Sequence, residues 1–146
     1  MITATKTETS VKQSVPFFMV TNIEASIRFY VDGLGFEMAN QWINKGKLEW
    51  CWLQHGGASL MLQEFPKEKR ERLQNEGQVL GVGVLINFIC EDALAIYRDL
   101  TSRGIHAERP FVGNAFWVTS MSDPDGYKIY FESPTDVPEE TVYSGQ

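Results

Sequence analysis

Reactive side chains are scarce in this sequence. Its 146 residues include two cysteines, Cys51 and Cys90, and two histidines, His55 and His106. Two thiols cannot build a disulfide framework, and residues 1–12 are Thr- and Lys-rich without the apolar stretch of an export signal. Free thiols in a cytoplasmic protein are therefore expected. No apolar run approaches the roughly 18 residues of a membrane span. Basic residues are outnumbered, 13 Lys and Arg against 19 Asp and Glu for a net charge of −6. That excludes a nucleic-acid binder, which needs a basic face to displace counterions, and it suits a neutral or cationic small molecule better. No Ser-His-Asp or Cys-His set can be assembled, and Gly81-Val82-Gly83 lacks the helix and lysine of a phosphate loop.

What is present is ordinary globular material, 43% hydrophobic and 22% charged. The length allows one domain that buries roughly 70% of its unfolded surface. Asn22 is placed to cap a helix with Ile23, Ile27, Tyr30, Val31 and Leu34 at helical spacing, closed by Gly35. Asp92 is placed to cap a second, with Ala93, Ile96, Tyr97 and Leu100 on one face and Gly104 behind it. Short apolar strands over 15–20 and 84–90 precede them. Strands over 49–53 and 59–63 flank the turn Gly56-Gly57, and strands over 116–121 and 127–132 flank Asp123-Pro124-Asp125-Gly126. The pattern occurs twice at a nearly fixed offset: Phe18 to Phe88 and Asn22 to Asp92 span 70 residues, Gly35 to Gly104 spans 69. We divide the chain into a tail at 1–13, a domain at 14–133 with modules at 14–64 and 82–133, a linker at 65–81 and a tail at 134–146. The Lys67-Glu68-Lys69-Arg70-Glu71-Arg72 run reads as solvated linker or short helix.

Val20-Thr21-Asn22-Ile23-Glu24-Ala25-Ser26-Ile27-Arg28-Phe29-Tyr30, with Leu34-Gly35-Phe36 behind it, resembles the first helix motif of the vicinal-oxygen-chelate superfamily of glyoxalases, bleomycin-resistance proteins and dioxygenases. The Leu60-Met61-Leu62-Gln63-Glu64 strand and the Asp123-Pro124-Asp125-Gly126-Tyr127 turn resemble two further signatures, in the right order and spacing. The resemblance implies an α+β fold of paired βαβββ modules forming a half-barrel cleft, commonly in a homodimer. Asn22 replaces the usual Asp, and both cap helices.

Metal-using relatives carry one ligand on each of four strands, and by resemblance these positions fall on Val15, Met61, Leu85 and Tyr130. None offers the imidazole or carboxylate a divalent ion needs, so no metal and no other cofactor is expected. Both histidines read as exposed loop residues.

Strand alternation suggests what lines the cleft instead. Phe17 and Met19 face it while Phe18 and Val20 pack on the helix; Asn87 does so from the fifth strand. If Gly56-Gly57 is a two-residue turn, Trp52 opposes Met61 and Trp50 opposes Gln63. The repeat offset then places Trp117, Thr119 and Met121 opposite Lys128 and Tyr130, with Glu132 at the strand end. Flat aromatics with a few polar groups suit a planar or amphipathic organic ligand. The alternative is a barrel packed shut by its own rings. The first functional reading is metal-free binding, resembling the bleomycin-resistance proteins, of an aromatic or cationic compound in a dimer-shared cleft, with no catalytic residue. The second is an enzyme of the same superfamily, a lyase, isomerase or thiol transferase with displaced catalytic groups.

Overall fold

A computed structural model describes residues 10–145. Residues 1–9 of the expected N-terminal tail lie outside the described residues. The elements run β1 (Phe17–Val20), α1 (Ile23–Ile27), a π-helical turn (Arg28–Gly33), β2 (Glu37–Asn44), β3 (Lys47–His55), β4 (Ala58–Glu64), α2 (Lys67–Glu76), β5 (Leu85–Ile89), α3 (Ala93–Ser102), β6 (Phe111–Gly113), β7 (Phe116–Ser122) and β8 (Lys128–Pro134). They form two four-stranded mixed sheets, ordered β1-β4-β3-β2 and β5-β8-β7-β6. In each, the first strand pairs in parallel with the last and the remaining pairs are antiparallel. This is an α+β fold of two βαβββ modules, and neither sheet closes into a barrel.

The caps are made by the expected side chains. Asn22 accepts from the amide of Ala25 at 3.1 Å, and Asp92 accepts from the amide of Ala95 at 3.0 Å. The first helix does not stay regular to Gly35. It widens after Ile27, so that the amide of Leu34 bonds back to the carbonyl of Phe29, five residues earlier. Gly35 then leaves the helix at φ +86°, a conformation glycine adopts without strain.

One core joins the modules. Phe18, Val20, Cys51, Leu53, Leu60 and Leu62 from the first sheet share it with Met121, Ile129 and Phe131 from the second, and with Ile23, Tyr30 and Leu100 from the helices. Fully burying each large apolar side chain contributes about 1.5–3 kcal/mol. Polar contacts reinforce the boundary. The rings of Phe18 and Tyr127 stack at 4.1 Å and 1°. The Tyr127 hydroxyl donates to the Met19 carbonyl at 2.7 Å, and the amide of Thr21 donates to Asp125 at 3.0 Å. Arg103 donates to the carbonyls of Asp32 and Gly33, where the first helix ends.

The linker run forms α2, anchored by Leu73 and by an ion pair from Arg70 to Glu64. Beyond it, Val79 and Leu80 seat on the Asp123-Pro124-Asp125-Gly126 turn, where the amide of Leu80 bonds the carbonyl of Asp125. The segment after β8 lies along β6: Val112 exchanges backbone bonds with Glu140 and Thr141, and Tyr143 packs edge-on against Tyr97 and Trp117.

Candidate functional site

Because the helix-bearing faces of both sheets are spent on the common core, the alternate residues of each strand look outward. Each sheet therefore presents an open face of its own, the reverse of the face it commits to the core.

On the first sheet, Phe17 aligns with Met61 and Met19 with Gln63. Trp52 opposes Met61 and Trp50 opposes Gln63, the register expected from a two-residue turn. Phe17 is 46% exposed, and Trp50, Trp52, Met19, Met61 and Gln63 are half-buried. The strand β2 adds a residue that the sequence reading lacks. Trp42 stands directly opposite Trp50 and is 51% exposed. Its alternation was unreadable because the β2–β3 ladder shifts register twice, by an extra residue in β2 at Ala39 and one in β3 at Glu49. Among the strand positions of this face only Glu37, opposite Gln54 at a corner, carries charge. The indole Nε1 of Trp52 is sealed from solvent without a hydrogen-bond partner. A buried donor left unmade costs about 1–3 kcal/mol.

On the second sheet, Leu85, Asn87 and Ile89 of β5 align with Lys128, Tyr130 and Glu132 of β8. Across β7 these face Ser122, Ser120 and Val118. The ammonium of Lys128 donates to the Ser122 hydroxyl at 2.7 Å. The side chain of Glu132 makes no hydrogen bond or ion pair among the described residues, and burial holds its carboxyl above the usual range.

Trp117 is a correction. It opposes Ser133, on the far side of the sheet from Lys128 and Tyr130, and its ring meets Tyr143 at 6.0 Å. Thr119 and Met121 are buried on the same side as the half-buried Trp117, the Thr119 hydroxyl donating to the Ala93 carbonyl. The cause is turn length. The first hairpin turns on two residues and the second on the five residues 123–127, and that odd difference in length reverses which β7 residues face β8. Tyr130, Lys128, Glu132 and Asn87 stay on the open face; Trp117, Thr119 and Met121 leave it, and Val118, Ser120 and Ser122 take their places.

The four positions of the superfamily's metal ligands do not fit a divalent ion here. Met61, Leu85 and Tyr130 lie on the open faces, and Val15 precedes β1. No three His, Cys, Asp or Glu side chains gather as ligands among the described residues. His55 is exposed at the end of β3, edge-on to Phe36, and His106 pairs with exposed Glu108. A groove of about 880 Å³ runs between the modules over Phe36, Phe88 and Phe131, and none of the four tryptophans lines it.

No helix among the described residues is long and apolar enough to cross a membrane. No curated protein matches the chain. Among solved structures it is similar to TnmS3, an antibiotic binding protein from Streptomyces sp. CB03234, with 21% identity over 88% of this chain and 100% of that one and a TM-score of 0.66. It is similar to a bleomycin resistance determinant encoded on the transposon Tn5, with 20% identity over 87% and 100% and a TM-score of 0.62. A third is the bleomycin-binding protein of bleomycin-producing Streptomyces verticillus, complexed with copper(II)-bleomycin, with 15% identity over 85% and 97% and a TM-score of 0.60. These likenesses support the fold. The family profile Glyoxalase/Bleomycin resistance protein/Dioxygenase superfamily matches residues 13–131, and with the two βαβββ modules in place the chain belongs to that superfamily.

Proposed function

We propose that this protein binds and sequesters a small organic compound, aromatic or cationic, in clefts that two copies form together. The observation that carries the reading is the first sheet's open face: Trp42, Trp50 and Trp52 side by side, almost without charge. A soluble chain rarely leaves so large an aromatic patch without a partner or ligand. Several structural neighbours are described as antibiotic- or bleomycin-binding proteins, which supports the same class of role. Pairing the first-sheet face of one copy with the second-sheet face of the other would cover both open faces and enclose a cleft twice per dimer, in a closed two-fold assembly. Binding alone suffices for sequestration.

Titrating the protein with bleomycin and with planar aromatic compounds, while following tryptophan fluorescence, tests the reading. Saturable quenching at one site per chain is expected, with the ligand recovered unchanged. Trp52→Ala should weaken binding by about 1–3 kcal/mol, as loss of a central aromatic anchor does, and keep its fold. No response across the panel, with Trp52→Ala costing stability instead, would mean that the rings are packing. Conversion of a ligand on incubation would favour an enzyme.

A further inference from the structure

The two sheets end in four edge strands, β1, β2, β5 and β6. A bare edge invites pairing with another strand, and proteins blunt it with charge, proline, bulges, short length or a covering segment. Three of these edges are blunted. β6 is covered by the segment after β8, bridged from Phe111 to Val142. β1 is four residues long, and the Tyr127 hydroxyl takes its Met19 carbonyl. β2 carries the extra residue Ala39 and the charge of Glu37. β5 has none of these devices. From Val82 to Cys90 there is no charge and no proline, and the register with β8 is unbroken. Leu85 and Ile89 are 53% and 65% exposed.

The backbone of β5 is available as well. The amide of Cys90 bonds the Glu132 carbonyl in the parallel ladder, so Ile86 and Phe88 bond β8 in turn. The N–H and C=O groups of Leu85, Asn87 and Ile89 then point to the free edge. Leu85-Ile86-Asn87-Phe88-Ile89 reads apolar, apolar, Asn, apolar, apolar in both directions. We infer that β5 is a self-complementary interface, pairing antiparallel with β5 of a second copy about a two-fold axis at Asn87. In that register Asn87 faces the partner's Asn87 and Leu85 faces the partner's Ile89, each pair exchanging both backbone bonds. The Asn87 amide has no hydrogen bond within its own chain among the described residues, and across the axis it meets its copy. Ile86 faces the partner's Phe88 on the core side, along the groove that Phe36, Phe88 and Phe131 line. Glu91, the first charge beyond the strand, meets the partner's Gly83, so no like charges oppose. A foreign strand could match the backbone, but not this two-way side-chain pattern. The contact uses the rim of the second sheet and no ligand, so it does not rest on the binding reading. Where shared clefts form as well, the two contacts together assemble four chains.

Charge exchange tests the register. The side chains at 85 and 89 are exposed, so the variants should fold and melt near the wild type. Sedimentation equilibrium of the full-length protein, from low micromolar to submillimolar concentration, should show an association that Leu85→Lys weakens about tenfold or more. Adding Ile89→Lys should weaken it further, because like charges then oppose. Combining Leu85→Lys with Ile89→Glu should return it to within about threefold of the wild type. Opposite charges then meet across the axis, while within one chain the two positions lie about 13 Å apart along the strand and cannot pair. Hydrogen exchange gives the local readout: the amides of Leu85, Asn87 and Ile89 should gain protection with concentration, and those of Ile86 and Phe88 should not. A charge-swapped variant that associates no tighter than Leu85→Lys overturns the inference. So does a wild type whose three edge amides exchange freely at every concentration, even if copies associate through other surfaces; the edge would then belong to a foreign strand or to none.

Discussion

The hydroxyl of Tyr30 donates to Asp123 at 2.9 Å across the module boundary, and the two residues are only 0% and 5% exposed. Asp123 is a hub of the 123–127 turn, since its other oxygen accepts the amides of Asp125 and Tyr127. Burial pushes its carboxyl up to about 6, against the pull of these three donors. The same burial and the neighbouring carboxylate raise the Tyr30 phenol far above its usual range. The turn that carries Tyr127 to the Met19 carbonyl is thus built around a buried carboxyl that three donors keep within reach of ionisation at neutral pH.

A pH dependence follows. The Asp123 carboxyl titrates near 3.8 in the unfolded chain and near 6 in the native one. Its contribution to stability is therefore fully present below about pH 4 and is lost as pH rises through about 6, to a total of roughly 3 kcal/mol. Asp123→Asn, which cannot ionise, should remove this slope. Denaturant melts of both proteins from pH 4 to pH 7 measure it as a difference. The difference is needed because Glu64 acts the other way. Burial alone would raise its carboxyl, but the amide of Ile23 with Lys47 and Arg70 holds it below its usual range. A wild-type and variant gap that stays constant across this window would contradict the assignment.

Tyr30→Phe should cost about 1.5–3 kcal/mol, the range for a hydrogen bond to a charged group, and should raise the native Asp123 carboxyl further. Both changes are readable, the first by melting and the second by carboxyl-carbon NMR. An unchanged carboxyl titration would show that the bond is not formed in solution.

Gly126→Ala should destabilise by about 1–3 kcal/mol, the usual range for strain at a special backbone position. Gly126 sits at φ +95°, and a Cβ there would lie 2.5 Å from Cγ1 of Val79. Thermal melting checks the loss, and faster hydrogen exchange at the Leu80 amide would locate it. Wild-type stability would mean that the linker does not seat on the turn.

Trp117→Ala should leave ligand affinity untouched. The ring faces away from Tyr130 and packs on Tyr143, so its loss should release the segment along β6 and forfeit about 0.5–1.5 kcal/mol for the ring pair, beyond the area. Calorimetric titration beside thermal melting separates the two effects. Weakened binding without loss of stability would return Trp117 to the cleft.

Residues close in sequence were the legible ones. Asn22 and Asp92 announce caps three residues from the amides they bind, and the Gly56-Gly57 turn determines by itself which residues of β3 and β4 share a face. The second hairpin was misread because the five residues of its turn do not declare which strand direction they reverse. Trp42 was missed because two register shifts, one in β2 and one in β3, interrupt the ladder on either side of it. The partnership of Tyr30 with Asp123, 93 residues apart, has no local signature at all. Nor does the arrangement in which the modules pack helix face to helix face. That packing separates residues the alternation placed in one cleft: Trp50 and Trp52 lie on the open face of the first sheet and Tyr130 and Glu132 on that of the second.

That separation makes the central claim testable by complementation. Trp52→Ala damages the first-sheet half of a cleft and Tyr130→Ala the second-sheet half, so each variant alone should bind bleomycin weakly. Mixed, unfolded and refolded together, they should exchange subunits. Each mixed dimer of 16.6 kDa chains would then hold one cleft with both halves intact and one with both damaged. Titration of the mixture should recover wild-type affinity at about one quarter of the sites, the statistical yield of random pairing in a two-fold dimer. No wild-type sites in a mixture shown by mass spectrometry to contain mixed dimers would contradict a cleft shared between copies.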